Sequence, residues 1–206
     1  MVGTLKRIRV GVLGSGKGSN MVALADASKR QGAAFEVVTV ISDVCDAGIL
    51  DRARERNIPA IFLDPGSFRT KLDESAEARF IEVLRAAEVD YVALAGFMRM
   101  LKVGFLNAFS QRVVNIHPSL LPAFPGLESW KQALEYGVKV AGCTVHCVDS
   151  GMDTGSIIAQ QCVPVLEDDT AASLHERIQV AERLLYPQVM DLLGRAERIQ
   201  SGRIDR

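Results

Sequence analysis

The sequence predicts an α/β fold: a mostly parallel sheet with helices on both faces, extended by an antiparallel hairpin toward the C-terminal end. The first half of the 206-residue chain alternates short, almost continuously apolar stretches with stretches of helical periodicity, which is typical of parallel strands covered on both sides. Glycines follow the first apolar stretch and precede a helix. Two later strand-like stretches are joined by a short turn that contains glycine, which favours antiparallel pairing. Together these observations indicate a Rossmann-like architecture.

The individual elements follow from the positions of apolar residues, glycines and prolines. Five strands are predicted in the parallel part of the sheet, at 7–14, 35–43, 59–64, 90–97 and 113–117. Helices are predicted between the first four of these strands, at 20–32, 47–58 and 75–89. A proline-marked loop (118–127) precedes a helix at 128–137, which is followed by strands at 139–149 and 156–165 and a long amphipathic helix at 170–198. Pro187 should kink or divide that last helix.

Length and composition favour one domain that binds small molecules. With 48% apolar residues and a formal net charge of −1, the chain can build a sizeable core and lacks the basic footprint of a nucleic-acid-binding protein. The N-terminal apolar run is too short for a signal peptide, and no run approaches transmembrane length. We therefore expect a soluble cytoplasmic protein with no membrane partner.

The cysteines and histidines do not suggest a metal site. The four cysteines lack C-x-x-C spacing and lie in apolar, strand-like contexts, so reduced, buried thiols are predicted. They are Cys45, Cys143, Cys147 and Cys162. The three histidines show no metal-ligand spacing with cysteine or aspartate, and no metal is predicted. His146 on a strand and His175 on the exposed side of a helix are interpreted as structural or solvated.

The stretch "GVLGSGKGSN" (11–20) resembles two phosphate-binding motifs and matches neither completely. It fits the first seven positions of a P-loop, but Gly18 stands where a Ser or Thr hydroxyl would hold Mg²⁺, and Ser19 replaces the third glycine of a dinucleotide fingerprint. A glycine loop before a helix still exposes backbone N–H groups to an anion, and Ser19 and Asn20 add donors. The alternative is a tight strand-to-helix turn that binds nothing. The role of Lys17 stays open.

A second group of polar residues lies in the second half of the chain. Asn115 and His117 are two apart on a predicted strand, so their side chains share a face near the strand's C-terminal end. An amide can stabilise a developing oxyanion, and an imidazole can exchange a proton near neutral pH. Asp153, in "GMDTG", would orient His117 if the two met. The alternatives are a structural histidine beside a capping asparagine, and an aspartate that serves turn geometry.

Taken in this order, the motifs resemble the phosphoribosylglycinamide formyltransferases, folate-dependent enzymes of purine synthesis within the wider family of formyltetrahydrofolate-using enzymes. The resemblance covers the chain from residue 7 to about residue 193. It is carried by "GSGKGSN" (14–20), "ALAGFMRML" (93–101), "NIHPSLLPAFPGL" (115–127) and "GCTVHCVDSGMDTGSII" (142–158). The last two motifs are the most specific.

The resemblance implies a reaction and a catalytic trio. The amine of glycinamide ribonucleotide would attack the formyl carbon of 10-formyltetrahydrofolate, and the tetrahedral oxyanion would collapse to release tetrahydrofolate without a covalent enzyme intermediate. By motif position, Asn115 would stabilise the oxyanion, and His117 would assist that charge and the transfer of the amine proton. Asp153 would hold His117 and relay the proton through water.

The resemblance also implies two binding regions. Gly18, Ser19 and Asn20 match the site of the ribonucleotide phosphate. Glu182 matches a carboxylate that contacts the same substrate, although its helical position alone fits an exposed charge equally well. The folate-binding positions are Met98, Arg99, Met100, Leu101 and Asn115. Without the resemblance, "FMRML" (97–101) is interpreted as a strand end packed into the core.

Two departures from the family pattern leave contacts open. Either Arg69 or Lys71 matches the family's basic residue near the third strand, and Trp130 stands in a helix where the family often has histidine. In this scheme residues 1–100 form the phosphate-binding half and residues 101–206 the catalytic and folate-binding half of a single formyltransferase domain. The co-substrate would be 10-formyltetrahydrofolate, the partners small molecules, and the assembly a monomer or homodimer.

The same sequence features leave other functions open. Within the enzyme class they are formyltetrahydrofolate hydrolase and another folate-dependent formyltransferase such as methionyl-tRNA formyltransferase, which carry additional domains for which we expect no room in 206 residues. Outside it they are a non-catalytic phosphate- or nucleotide-binding module and a P-loop-type kinase. Gly18 argues against the kinase, and the intact Asn115, His117 and Asp153 argue against the non-catalytic module.

Overall fold

The computed structural model describes residues 6–204, and the side chains of residues 6–199. Within these residues seven strands form: β1 Ile8–Leu13, β2 Phe35–Ser42, β3 Ala60–Phe62, β4 Tyr91–Leu94, β5 Val113–His117, β6 Val140–Cys147 and β7 Ile157–Pro164. Six helices alternate with them: α1 Ser19–Ser28, α2 Gly48–Arg54, α3 Glu74–Ala86, α4 Val103–Ala108, α5 Ser129–Tyr136 and α6 Ala171–Ile204. All the predicted strands are present within a few residues of their predicted ends.

The strands form one mixed sheet in the order β3-β2-β1-β4-β5-β6-β7. Strands β1 to β5 pair in parallel, whereas β6 runs antiparallel to β5 and β7 antiparallel to β6. This confirms the predicted α/β fold with an antiparallel hairpin added to a mostly parallel sheet. The strand order reverses between β1 and β4, and ligands of open α/β sheets bind outside the carboxyl ends of the strands at such a point.

Helices cover both faces of the sheet because alternate strand residues point to opposite sides. On one face Val10 and Val12 of β1 pack in an apolar cluster with residues of α1, α2, α5 and α6. On the other face Leu13 of β1 packs with residues of α3 and α4, among them Phe80 and Phe105. The near-continuous apolar runs of the strands are therefore explained by burial on both sides.

Helix α4 was not predicted from the sequence. It is six residues long and contains Gly104, so its local helical signal is weak. Its first turn is held by tertiary contacts, since the buried Glu77 of α3 accepts hydrogen bonds from the backbone N–H groups of Lys102 (3.3 Å) and Phe105 (3.1 Å). A carboxylate from a neighbouring helix thus replaces the local cap that the sequence lacks.

The expectation that Pro187 could divide the last helix is wrong, because α6 is continuous from Ala171 to Ile204. Pro187 is buried, and the neighbouring side chain of Tyr186 anchors this turn to the sheet. The Tyr186 hydroxyl lies 3.1 Å from the carbonyl oxygen of Leu94 and 2.8 Å from that of Val114. Tertiary packing compensates for the hydrogen bond that proline cannot donate.

The prediction of buried thiols is correct only in part. Cys143 is buried and Cys147 half-buried, but Cys45 and Cys162 are exposed, and all four are free. The error at Cys162 arises because β7 is an edge strand, with most of its side chains in solvent. In the part of the chain that the structure describes, no helix is long and apolar enough to cross a bilayer.

Candidate active site

The glycine loop (residues 14–18) connects β1 to α1 at the carboxyl edge of the sheet. Gly18 has φ of +80° and precedes the first residue of α1. A Cβ at this position would lie 2.8 Å from atoms of Ile49, so both the backbone conformation and the space require glycine. Within the described residues no side chain caps α1. Its N-terminal N–H groups and partial positive charge therefore face the loop and suit an anion.

Asn20 and Glu182 form a buried pair between α1 and α6. Asn20 Nδ2 donates to Glu182 Oε2 over 2.9 Å, and the two residues are 9% and 6% exposed. The interpretation of Glu182 as an exposed helix charge is therefore wrong. Burial raises the pKa of Glu182 to about 7, and the hydrogen bond from Asn20 opposes that rise. The pair brings α6 against the helix N-terminus that follows the glycine loop.

Four polar side chains meet at the carboxyl end of β5, and we call them the polar cluster: Asn115, His117, His146 and Asp153. Nδ1 of His117 lies 3.4 Å from Oδ2 of Asp153, and Nε2 of His146 lies 3.7 Å from Oδ1 of the same carboxylate. Asn115 Nδ2 is 3.2 Å from His146 Nε2. The structure therefore brings together the three residues that the sequence singled out, and adds a fourth.

His117 is buried with an acceptor on each side of its ring. Its Nε2 is 3.0 Å from the carbonyl oxygen of Phe124, while Nδ1 faces the carboxylate of Asp153. A carbonyl oxygen can only accept, so Nε2 carries a proton and donates. A second proton on Nδ1 would face Asp153, and the imidazolium therefore satisfies both neighbours.

Asp153 is fixed by its turn rather than by a strand or helix. Its φ is +56°, an unfavourable conformation for a residue with a Cβ. Oδ2 accepts a hydrogen bond from the backbone N–H of Gly126 over 2.9 Å, which ties the turn to the proline-marked loop 118–127. Backbone strain held by such a contact is typical of functional sites.

His146 belongs to the polar cluster, and of its two interpretations the solvated one is wrong, while its burial and hydrogen bonds agree with the structural one. It is 2% exposed, and its Nδ1 donates to the carbonyl oxygen of Cys147 over 2.8 Å. Nε2 is then the acceptor for the Asn115 amide, and burial lowers the pKa of His146, which favours this neutral form. His146 thereby orients Asn115. The register that pairs Asn115 with His146 across β5 and β6 could not be deduced from the sequence.

The segment 98–101 exposes two methionines and turns its arginine away. Met98 is 63% and Met100 49% exposed, whereas Leu101 is buried. The Arg99 side chain forms an ion pair with Asp43, with 2.5 Å between Nε and Oδ2. The apolar side chains and backbone of this segment are available to a ligand, while the Arg99 guanidinium faces the protein. The interpretation of 97–101 as core fits Leu101 and the partly buried Phe97, which packs against the apolar cluster that contains Phe80.

The two candidate basic residues differ in how they are held. Both are exposed, but Lys71 forms an isolated parallel β-bridge with Met100, and its Nζ lies 4.5 Å from the ring centroid of Phe68. Lys71 is thus fixed to the segment 98–101, which favours it over Arg69 as the contact for a ligand on that segment.

Trp130 of α5 stacks on His175 of α6, with ring centroids 3.6 Å apart and an interplanar angle of 2°. His175 is half-buried, so its placement on an exposed helix side is corrected. Burial lowers the pKa of His175. Its Nε2 lies 3.2 Å from Gln179 Nε2, and Gln179 is about one helical turn from Glu182. The described residues contain no cluster of three potential metal ligands.

Comparison with known proteins shows which protein family the chain belongs to. The model of the formyl transferase family matches residues 8–190, and the chain belongs to this family. It is 42% identical to phosphoribosylglycinamide formyltransferase of Bacillus subtilis over 184 residues, 89% of this chain and 93% of that protein. It is 47% identical over 190 residues to the trifunctional purine biosynthetic protein adenosine-3 of Drosophila melanogaster. That match spans 91% of this chain and 14% of the fly protein.

Solved structures show the same architecture. Glycinamide ribonucleotide transformylase 1 from Symbiobacterium toebii is 47% identical, with a TM-score of 0.88 over 92% of this chain and 89% of that one. Phosphoribosylglycinamide formyltransferase from Anaplasma phagocytophilum is 42% identical, with a TM-score of 0.85 over 93% and 89% of the two chains. The expected resemblance is confirmed over nearly the whole predicted range.

Proposed function

We propose that this chain transfers the formyl group of 10-formyltetrahydrofolate to the amine of glycinamide ribonucleotide, N1-(5-phospho-D-ribosyl)glycinamide, in de novo purine synthesis. Membership of the formyl transferase family and the likeness to proteins named for this activity support the proposal. The observation that carries it is the polar cluster, where the Asn115 amide and the His117 imidazole lie on one strand face with Asp153 beside them.

The chemistry follows from the donors of the cluster. When the amine nitrogen bonds to the formyl carbon, the formyl oxygen gains negative charge. Asn115 has a second amide N–H besides the one directed at His146, and it stabilises that oxygen. A proton on Nδ1 of His117, which lies 3.4 Å from Asp153, can form a hydrogen bond with the oxyanion or with a water.

Proton transfer completes the reaction. The new bond joins the amine nitrogen to the formyl carbon, and the bond from that carbon to N10 of the folate breaks. The attacking amine loses a proton and N10 gains one. Asp153, 3.4 Å from His117, holds that imidazole and relays the proton from the amine to N10 through water. The amine is itself the nucleophile, so no serine or cysteine is needed.

The glycine loop holds the phosphate of the ribonucleotide in this proposal. Gly18, Ser19 and Asn20 lie at the N-terminus of α1, whose N–H groups bind the phosphate, and Glu182, paired with Asn20, contacts the ribonucleotide. Strands β1 and β5 are separated by β4, so the loop and the polar cluster are about 10 Å apart at the usual strand spacing. A phosphorylated ribose with a glycinamide arm spans such a distance and brings its amine to Asn115 and His117.

The folate lies against the segment 98–101 in this proposal. The exposed side chains of Met98 and Met100 offer apolar, adaptable contact for a flat heterocycle, and the backbone offers polar groups to its edge. Lys71, bridged to Met100, supplies a positive charge for the carboxylates of the folate tail.

A spectrophotometric assay of tetrahydrofolate release tests the proposal. We expect release that depends on both substrates, with one formylated ribonucleotide formed for each tetrahydrofolate. Release without the ribonucleotide would instead identify a formyltetrahydrofolate hydrolase. Binding of the ribonucleotide with no release would identify a non-catalytic nucleotide-binding module.

A further inference from the structure

A group of hydrogen-bonded side chains connects the glycine loop to the segment 98–101. We call it the Arg99 network, and its members are Ser15, Asp43 and Arg99. Ser15 Oγ donates to Asp43 Oδ1 over 2.6 Å and accepts from the backbone N–H of Met98 over 3.0 Å. Arg99 Nε donates to Asp43 Oδ2 over 2.5 Å. The side chains of Asp43 and Arg99 are 3% and 14% exposed, so water competes little for these bonds.

The network extends to the loop that carries Lys71. The Arg99 guanidinium donates to the carbonyl oxygen of Phe68 and approaches that of Lys71 at 3.5 Å. The backbone joins the same elements, because Ser15 N–H donates to the carbonyl of Gly96 and Met100 N–H to that of Thr70, at 3.0 and 2.8 Å. One set of bonds therefore joins the glycine loop, the end of β2, the segment 98–101 and the neighbouring loop.

We propose that the Arg99 network couples the two substrate sites, so that binding of the ribonucleotide at the glycine loop strengthens binding of the folate at the segment 98–101, and the reverse. This inference rests on the proposed function for the location of both ligands. Ser15, Asp43 and Arg99 act as positioning residues. The role of Arg99 changes accordingly: its side chain orders the folate segment instead of contacting the folate.

The coupling between the two sites arises because both ligands order the same residues. A ligand that fixes the glycine loop also fixes Ser15, whose hydroxyl holds Met98 N–H and Asp43 in place. The second ligand then meets a segment that is already ordered and loses less conformational freedom on binding. Coupling between two sites is reciprocal, and typical values begin at about a fivefold change in affinity.

Calorimetry with an unreactive ligand pair tests the coupling. Tetrahydrofolate lacks the formyl group, so it can bind together with glycinamide ribonucleotide without reacting. We expect each ligand to tighten the other at least about fivefold in the natural protein. Ser15→Ala and Asp43→Asn should reduce this factor to nearly one. Ser28→Ala is the matched control, because it removes another buried serine hydroxyl, bonded to the Ala25 carbonyl on α1, and it should keep the natural factor.

Amide hydrogen exchange measures the coupling in a second way. If the Arg99 network only stabilised the fold, the ribonucleotide would not change exchange in the segment 98–101. Saturating ribonucleotide should slow exchange at Met98 and Met100 in the natural protein and in Ser28→Ala, but not in Ser15→Ala. The inference would be overturned, and the proposed function left intact, if the two ligands bound the natural protein independently of each other. The same conclusion would follow if Ser15→Ala and Asp43→Asn both kept the coupling factor of the natural protein. If neither ligand bound the natural protein, the proposed function would fail and the coupling with it.

Discussion

Replacement of Glu182 by glutamine should remove the pH dependence that this buried carboxyl imposes on stability. Its pKa is raised by burial from 4.5 to about 7. A carboxyl with a raised pKa binds its proton more tightly in the folded than in the unfolded chain. Its contribution to stability is therefore fully present below pH 4.5 and is lost as the pH rises through 7.

The size of the effect follows from the pKa difference. At about 1.4 kcal/mol for each pKa unit, the rise from 4.5 to about 7 corresponds to about 3 kcal/mol of stability lost above pH 7. The Asn20 carbonyl oxygen is buried and has no hydrogen-bond partner among the described residues. Protonated Glu182, or the glutamine side chain of the Glu182→Gln variant, can pair with the Asn20 amide through two hydrogen bonds, whereas ionised Glu182 can only accept.

The assay is urea unfolding of both proteins at about pH 5 and about pH 8, on either side of the folded-state pKa. We expect similar unfolding free energies at the lower pH and an advantage of up to about 3 kcal/mol for Glu182→Gln at the higher pH, which corresponds to roughly 6–12 °C in melting temperature for a domain of this size. Asp51→Asn, which removes an exposed carboxylate paired with Arg54, is the control. Parallel pH profiles for the natural protein and Glu182→Gln would show that ionisation of Glu182 does not control the pH dependence of stability.

Three further outcomes are expected. His117→Ala should lower kcat by roughly a hundredfold or more with folate binding retained, as expected for a lost general acid–base group. The control His175→Ala should keep the kcat of the natural protein. If stopped assays gave His117→Ala the same kcat as the natural protein, His117 would have no role in the mechanism. Trp130→Ala should expose His175 and return its lowered pKa toward the ordinary value, measured by NMR titration with Trp130→Phe as control, and an unchanged titration would contradict the burial argument. In native thiol titration Cys45 should react rapidly, while burial raises the pKa of Cys143 to about 12 and keeps it unreactive; rapid reaction of Cys143 would contradict its placement.

The sequence was sufficient for the fold because its local signals agree with the tertiary structure. The parallel strands are mostly apolar, and glycines mark the turn into α1. The failures occur where contacts between distant residues decide the outcome. Helix α4 depends on Glu77 of α3, and the unbroken α6 depends on Tyr186 bonding to two strands.

For the candidate site, the sequence identified polar residues that belong to the same motif. It did not identify residues that are brought together only by strand pairing or packing. Asn115 and His117 are two apart on one strand, so their common face was predictable. The position of His146 was not predictable, because His146 lies beside Asn115 only through the antiparallel pairing of β5 with β6. The buried state of Glu182 likewise depends on the packing of α6 against α1, and the partnership of Arg99 with Asp43 joins two strand ends.

The central step of the proposed reaction is the transfer of the formyl group to the amine of the ribonucleotide at the polar cluster. NMR of a reaction with 10-formyltetrahydrofolate labelled with ¹³C in the formyl carbon tests this directly. We expect the label to appear as a formamide on the glycinamide nitrogen, and His117→Ala to slow its appearance at least about a hundredfold. Label recovered as free formate, or transferred at the natural rate by His117→Ala, would contradict formyl transfer at the polar cluster.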